Sequence, residues 1–227
     1  MIEDAMKQTH FKRLMIEPSF LLFISCTDTS TIRLIIERLS VLRQALPCTY
    51  YIVHLAAVFG DIDIADDGTC HGLQYLPKLE EFYNAFRLAA SREEAARILK
   101  IRLFQKLSRY TGISKIMVAC SSDELAQLMI TQLCFGRGGC VSKMTDVVEK
   151  TPSGTTFIRP LRDVSSAEMA TALRLENIEN YVLFPESSAN NNEAPSSLHV
   201  WEAPEKGSVQ RMSSAYLEHF VEEGFEV

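Results

Sequence analysis

The chain has 227 residues, 47% of them hydrophobic, a mean hydropathy of +0.01 and a formal net charge of −6. That length suits one large α/β domain with a sizeable core and is short for two. The charge excludes a chain that binds nucleic acid through bulk positive charge, since phosphate neutralisation drives such binding; a local basic patch or a basic partner is needed.

The opening MIEDAMKQTH is acidic and polar, with no apolar signal core. No apolar run approaches the length of a membrane span, so a soluble, cytoplasmic protein is expected. Six cysteines, at 26, 48, 70, 120, 134 and 140, form no C-x-x-C pair and sit mostly in apolar stretches. Reduced thiols are the expectation.

Residues 1–18 read as a leading arm. Phe20–Ile24 is an unbroken apolar run, suited to a strand buried on both faces. A small, hydroxylated stretch follows, Ser25–Thr31. Ile32, Ile35, Ile36, Leu39 and Leu42 then recur at helical spacing. Strand, polar turn and amphipathic helix form the place where open parallel sheets bind anions and nucleotides. The turn has neither glycine for close backbone approach nor lysine.

Pro47 ends the helix, and Thr49–Val58 reads as a second strand. Gly60–Gly72 is an acidic turn region. Helices are predicted over Pro77–Ala90 and from Ser91 to about Tyr110, the second opened by a Ser91/Glu94 capping box and closed by Gly112. Its apolar stripe is Ala96, Leu99, Leu103 and Leu107; Arg102, Lys106 and Arg109 form a basic stripe, read as a solvated face.

Lys115–Cys120 is a strand, followed by a Ser121/Glu124 capping box and a helix with Leu125, Leu128, Met129 and Leu133 facing inward. Residues 136–154 read as a long loop and Thr156–Arg159 as a short strand. Ser165 with Glu168 caps another helix, to about Asn177. Glu186–Ser197 is low-complexity and polar, expected to be loose. A short strand near Leu198–Trp201 and a last helix from Ser213 or Ser214 to Glu222 complete the chain. The expected organisation is an arm (1–18), a main domain (19–185), a polar loop (186–197) and a terminal strand and helix (198–227) packing on that domain. Alternating strands and helices imply right-handed crossovers and a mostly parallel sheet of about five strands.

Three pieces carry a resemblance. FLLFISCTDTS occupies the place of the S-G-G-x-x-S loop of the PP-loop ATP pyrophosphatase superfamily. KIMVAC followed by SSDELAQLMITQL resembles that superfamily's later strand–Asp–helix motif, with Asp123 as its acid. LCFGRGG, a variable loop and FIRPLRDVSSAEMA resemble the matching segment of the cytoplasmic tRNA 2-thiolation protein 2 family, as does the helix SREEAARILKIRLFQKLSRYTGISKI. The resemblance covers roughly residues 20–181.

It implies an α/β PP-loop (adenine nucleotide α-hydrolase-like) domain with helices on both faces of a parallel sheet. It also implies a partner, a catalytic PP-loop subunit of the tRNA 2-thiolation protein 1 type. The pair would thiolate C2 of the wobble uridine in tRNAs for lysine, glutamate and glutamine. ATP would be used by the partner, with sulfur from a thiocarboxylated ubiquitin-related modifier. Departures from an active enzyme are plain. Cys26 and Thr27 replace both loop glycines, though Ser25 and Ser30 keep the end positions. The paired cysteines of active partners are missing, as are the family's N-terminal cysteine motif and C-terminal extension, so a truncated form or a divergent relative is expected. No cofactor, metal or catalytic residue is expected on this chain. An independent tRNA-adenylating enzyme of the superfamily and a nucleotide-binding scaffold are the alternatives.

The degenerate loop comprises Ser25, Cys26, Thr27, Asp28, Thr29 and Ser30, with Asp123 beside it in the motif. The simpler reading makes Thr29 or Ser30 an N-cap, with Asp28 favouring the first helical turn and opposing phosphate. Cys26 and Cys120 follow strands at the crevice edge and read as small buried hydrophobes rather than reactive thiols. Arg137, Gly138 and Gly139 are candidates for tRNA or partner contact, against a C-cap at Gly136 with a solvated Arg137. Arg159 and Arg162 are candidates for phosphate or partner contact, against internal pairing with Asp163 or Glu168. His54 reads as a core histidine, and His71 receives no role.

Overall fold

The computed structural model describes residues 19–25, 29–45, 48–178 and 208–222. The arm at 1–18, the polar loop at 186–197 and the strand near Leu198–Trp201 lie outside the described residues. The described chain falls in two compact units, residues 19–80 and residues 81–178 with 208–222.

In the first unit, β1 (Ser19–Ile24) leads to α1 (Thr29–Ala45) and β2 (Thr49–His54). β1 and β2 pair in parallel, from Ser19↔Thr49 to Ile24↔His54. A third short strand, β3 (Cys70–His71), pairs in parallel with β2 at Ile52 and Val53. The spacing read from α1 is the spacing used. Ile32, Ile35 and Leu39 are buried with Ile24, Tyr50 and Ile52, and Ile36 and Leu42 pack against that cluster. Burying Ile32, Ile35 and Leu39 supplies about 1.5–3 kcal/mol each, and the partly buried Ile36 and Leu42 add less. That burial, more than intrinsic propensity, makes the segment helical.

β2 ends earlier than its apolar run. His54 is fully buried, and its Nδ1 accepts from the Ala56 amide at 3.1 Å, which turns the chain into a 3₁₀ segment, Leu55–Phe59. His54 is therefore a core histidine with a bonded ring. A second 3₁₀ segment, Leu73–Tyr75, packs on the first. Gly72 joins it to β3 at φ 95°, and a Cβ there would meet the Ala57 Cβ at 2.5 Å and its backbone at 2.9 Å.

α2 (Leu76–Asn84) spans the division between the units. In the second unit, α3 (Ala89–Thr111) buries Ala96, Leu99, Leu103 and Leu107, as its period demands, and ends at Gly112 in the left-handed region. β4 (Lys115–Met117), α4 (Ser122–Cys134), α5 (Gly138–Met144), β5 (Val148–Lys150), β6 (Thr156–Ile158), α6 (Ser166–Leu175) and α7 (Val209–Glu222) follow. α4 packs on α5 and α7. The capping boxes of Ser121 with Glu124 and of Ser165 with Glu168 are both complete. No helix among the described residues is long and apolar enough to cross a membrane.

Five details correct the sequence reading. The strands form two three-stranded sheets, β1-β2-β3 and β4-β6-β5, where a single sheet of about five was expected. The second sheet is mixed: β4 runs parallel to β6, and β5 antiparallel. β5 and β6 are joined by a connection too short for a parallel crossover, with Gly154 at φ 86°. Residues 136–154 thus hold α5 and β5 rather than one long loop. On α4, Met129 and Leu133 are 40% and 53% exposed, while Gln132 is buried. Finally, Ser91 does not open α3, which starts at Ala89 behind Leu88 with no side-chain cap.

Gly72→Ala combines a disfavoured φ with backbone overlap, so it should lower stability by about 2 kcal/mol or more. Urea unfolding reads this directly; an unchanged midpoint would contradict the packing of the two 3₁₀ segments.

Candidate functional site

Ser25 directly follows β1 and is buried, and Cys26, Thr27 and Asp28 lie outside the described residues. Thr29 is the first residue of α1, and Ser30 is exposed in its first turn. No glycine occurs anywhere before Gly60. A phosphate cradle needs backbone approach that side chains at each position obstruct. The described residues at this turn therefore do not fit a triphosphate in the manner of a glycine loop.

Asp123 belongs to the other unit, in the first turn of α4. Its carboxylate accepts from the Ser166 amide at 2.7 Å, at the start of α6. The Ser166 hydroxyl donates to Ser121 Oγ at 3.3 Å, and the Ser122 amide to the Val164 carbonyl at 2.9 Å. Two helix N-termini thus meet and are joined. Their amides and partial positive charge would attract an anion, but the chain's own carboxylates supply it. Glu168 is held below the ordinary carboxylate range by the Ser165 backbone amide first and its hydroxyl second.

Arg137 is anchored by a carboxylate that the sequence reading assigned elsewhere. α4 ends in a Schellman turn: Gly136, at φ 72°, donates to the Leu133 carbonyl at 2.9 Å, and Arg137 to the Gln132 carbonyl at 2.9 Å. That is the expected C-cap at Gly136. It aims the Arg137 guanidinium at Glu94, with which it forms an ion pair, and sets it 5.6 Å from the Phe135 ring. Glu94 also accepts two bonds from Arg97, both 2.8 Å, and one from Gln132 Nε2 at 3.2 Å. The Glu94 side chain is 11% exposed and that of Arg137 48%. Burial works to raise the Glu94 pKa; Arg97, then Arg137 and Gln132, outweigh it and hold it below the usual range. Gln132 Oε1 is buried without a hydrogen-bond partner among the described residues. The opposite amide orientation would set that oxygen against a carboxylate, so the charge selects this one.

Gly138 and Gly139 open the short helix α5 and do not use left-handed geometry; Gly136 does.

Arg159 and Arg162 fasten the segment between α5 and β5. Arg159 pairs with Glu149 at 2.6 Å, the side chains 10% and 18% exposed, and donates to the Asp146 carbonyl at 2.9 Å. Glu149 opposes Phe157 across the sheet, so Arg159 is its diagonal neighbour. Arg162 donates to the Thr145 carbonyl at 2.7 Å and pairs with Asp163 at 3.1 Å. The Asp163 pair was anticipated for Arg162; Glu149 was not. Cys120 nearby is pushed up, chiefly by burial, and so stays a thiol. No cluster of three or more potential metal ligands occurs among the described residues.

The chain is 31% identical over 200 residues to cytoplasmic tRNA 2-thiolation protein 2 of Caenorhabditis elegans, across 87% of this chain and 57% of that protein. The chain is a homologue of proteins named cytoplasmic tRNA 2-thiolation protein 2. The Caenorhabditis briggsae protein of that name is 27% identical over 228 residues, 99% of this chain and 61% of the relative. The Homo sapiens protein of that name is 27% identical over 139 residues, 61% of this chain and 24% of the relative. No family model matches. The resemblance read from the sequence is borne out, and this chain spans about three-fifths of the length of its nematode relatives.

Sequence reasoning missed Glu94 as a hub. Its pairing with Arg97 at i, i+3 was available from spacing; Gln132 and Arg137, 38 and 43 residues away, were not.

Glu94→Ala should cost about 1–3 kcal/mol, because a buried Gln132 donor and two guanidinium groups lose their acceptor. The Glu94 stabilisation is full above the unfolded carboxylate pKa, about 4.3, and is lost as pH falls from there through the depressed folded value. Glu94→Gln should flatten that limb of the stability–pH curve. Denaturant titrations from about pH 7 to pH 3 test it, and parallel curves for parent and variant would refute it.

Proposed function

We propose that this chain is a non-catalytic subunit of a cytosolic complex that 2-thiolates the wobble uridine of tRNAs for lysine, glutamate and glutamine. Its partner is a catalytic PP-loop subunit, which adenylates the uridine with ATP and receives sulfur from a thiocarboxylated ubiquitin-related modifier. This chain supplies surface to that partner and to tRNA. The observation that carries the reading is the homology to proteins named for cytoplasmic tRNA 2-thiolation, extending over nearly the whole chain.

Three features favour a supporting role over an adenylating one. The turn after β1 lacks glycine and lysine. The N-termini of α4 and α6 are occupied by Asp123, Glu124 and Glu168. Cys120 is a partly buried thiol, poorly suited to carry activated sulfur. In this reading Arg137 and Arg162, each partly exposed, are the members of the candidate set with guanidinium surface left for tRNA or the partner.

Removal of the gene product should abolish 2-thiouridine at the wobble position of these tRNAs, measured by mass spectrometry of total tRNA nucleosides. Calorimetry of the purified chain with ATP should show no binding. Persistence of the thiolated nucleoside would end the assignment. ATP binding lost in Ser30→Ala or Asp123→Ala would move the chain to the adenylating enzymes instead.

A further inference from the structure

Between Glu94 and Asp123 the chain contains no Asp or Glu and six Lys or Arg, in a protein of net charge −6. α3 carries five of the six. Arg97 is consumed by Glu94, and Lys100 and Lys106 are half-buried. Arg102 and Arg109 are exposed and make no hydrogen bond or ion pair among the described residues. Seven residues apart, two helical turns, they share one face of α3 and lie about 10 Å apart along its axis. The opposite face carries Leu103, Phe104 and Leu107 into the core, so the arginines cannot turn inward. Tyr110, 52% exposed, flanks the C-terminal end of the row.

Most surface cations of a folded protein stand among carboxylates, which neutralise the local field. Here the helix supplies none for its last four turns. A polyanion meeting this face would meet no repulsion from carboxylates on α3 beyond Glu94. Arginine's planar fork matches phosphate oxygens, and an exposed tyrosine ring can stack on an unpaired base.

We propose that the outer face of α3, centred on Arg102 and Arg109, binds the sugar-phosphate backbone of tRNA. This rests on the thiolation reading for the identity of the RNA, but not for the existence of the site. The contact is to backbone, so it positions tRNA without reading its sequence. It also explains how an acidic chain meets RNA: the excess carboxylates are excluded from this one segment.

The test is binding of unmodified tRNA to the full chain by fluorescence anisotropy across a salt series. Arg102→Glu/Arg109→Glu should weaken binding about tenfold or more near about 0.1 M salt and should lower the slope of log Kobs against log[salt] by about 1.5. Arg102→Gln/Arg109→Gln should show a smaller loss and Arg102→Lys/Arg109→Lys should keep most of the slope. Circular dichroism and thermal midpoints should match the parent, since both side chains are exposed. Equal affinity and slope in parent and double-Glu variant overturn the α3 site while leaving the thiolation assignment intact. The α3 site is equally overturned if the parent does not bind tRNA, or if the variant instead loses an acidic protein partner. Loss of tRNA binding with wobble thiolation unaffected by gene deletion would uphold the site and remove the assignment.

Discussion

The Glu94 carboxylate is the contact that ties α3, α4 and the turn after α4 together in the second unit. It lies at the junction of α3, α4 and the turn that follows α4, nearly closed to solvent. A carboxylate so placed is costly unless its oxygens are filled. Arg97 fills them from the same helix, Gln132 from the next, and Arg137 from the turn beyond. Each donor comes from an element whose position the bond then restricts. This explains why α4 buries a glutamine and leaves Leu133, its neighbour in sequence, in solvent. The helix is rotated to satisfy a charge, and its apolar pattern yields.

The same logic governs the places where an α/β protein would hold a nucleotide. A helix N-terminus offers unpaired amides and partial positive charge, and some acceptor must meet them. At α4 and α6 the acceptors are Ser121, Glu124, Asp123, Ser165 and Glu168, all from the chain itself. Asp123 acts here as a clasp between two helices, accepting from the Ser166 amide.

Much of the fold was legible because the information was local. The α1 and α3 stripes, both capping boxes at Ser121 and Ser165, the end of α3 at Gly112 and the C-cap at Gly136 all follow from spacing within a few residues. The failures share a cause. β2 stops early because a buried His54 ring captures an amide, and no propensity reports that. β5 and α5 are short elements in a Gly-containing stretch, stabilised by Arg159 and Arg162 from the far side of a hairpin. The Ser91/Glu94 cap was a valid local pattern that lost to three stronger donors. Of the candidate residues, the internal pairing of Arg162 with Asp163 was readable from adjacency, whereas the Arg159–Glu149 pair required knowledge of the sheet register.

Arginine therefore does two kinds of work in this chain, and the carboxylates within reach decide which. Arg97, Arg137 and Arg159 each find a poorly exposed Glu, and the pair becomes architecture. Arg102 and Arg109 lie on a helix whose remaining length offers no acid. Placing one Glu four residues before either would have cost nothing in helix propensity and gained a few tenths of a kcal/mol (about 0.3–0.5) from an i, i+4 pair. The sequence forgoes that gain at both positions. A face left uncompensated in an otherwise acidic protein is explained economically by an external anion that supplies the missing charge.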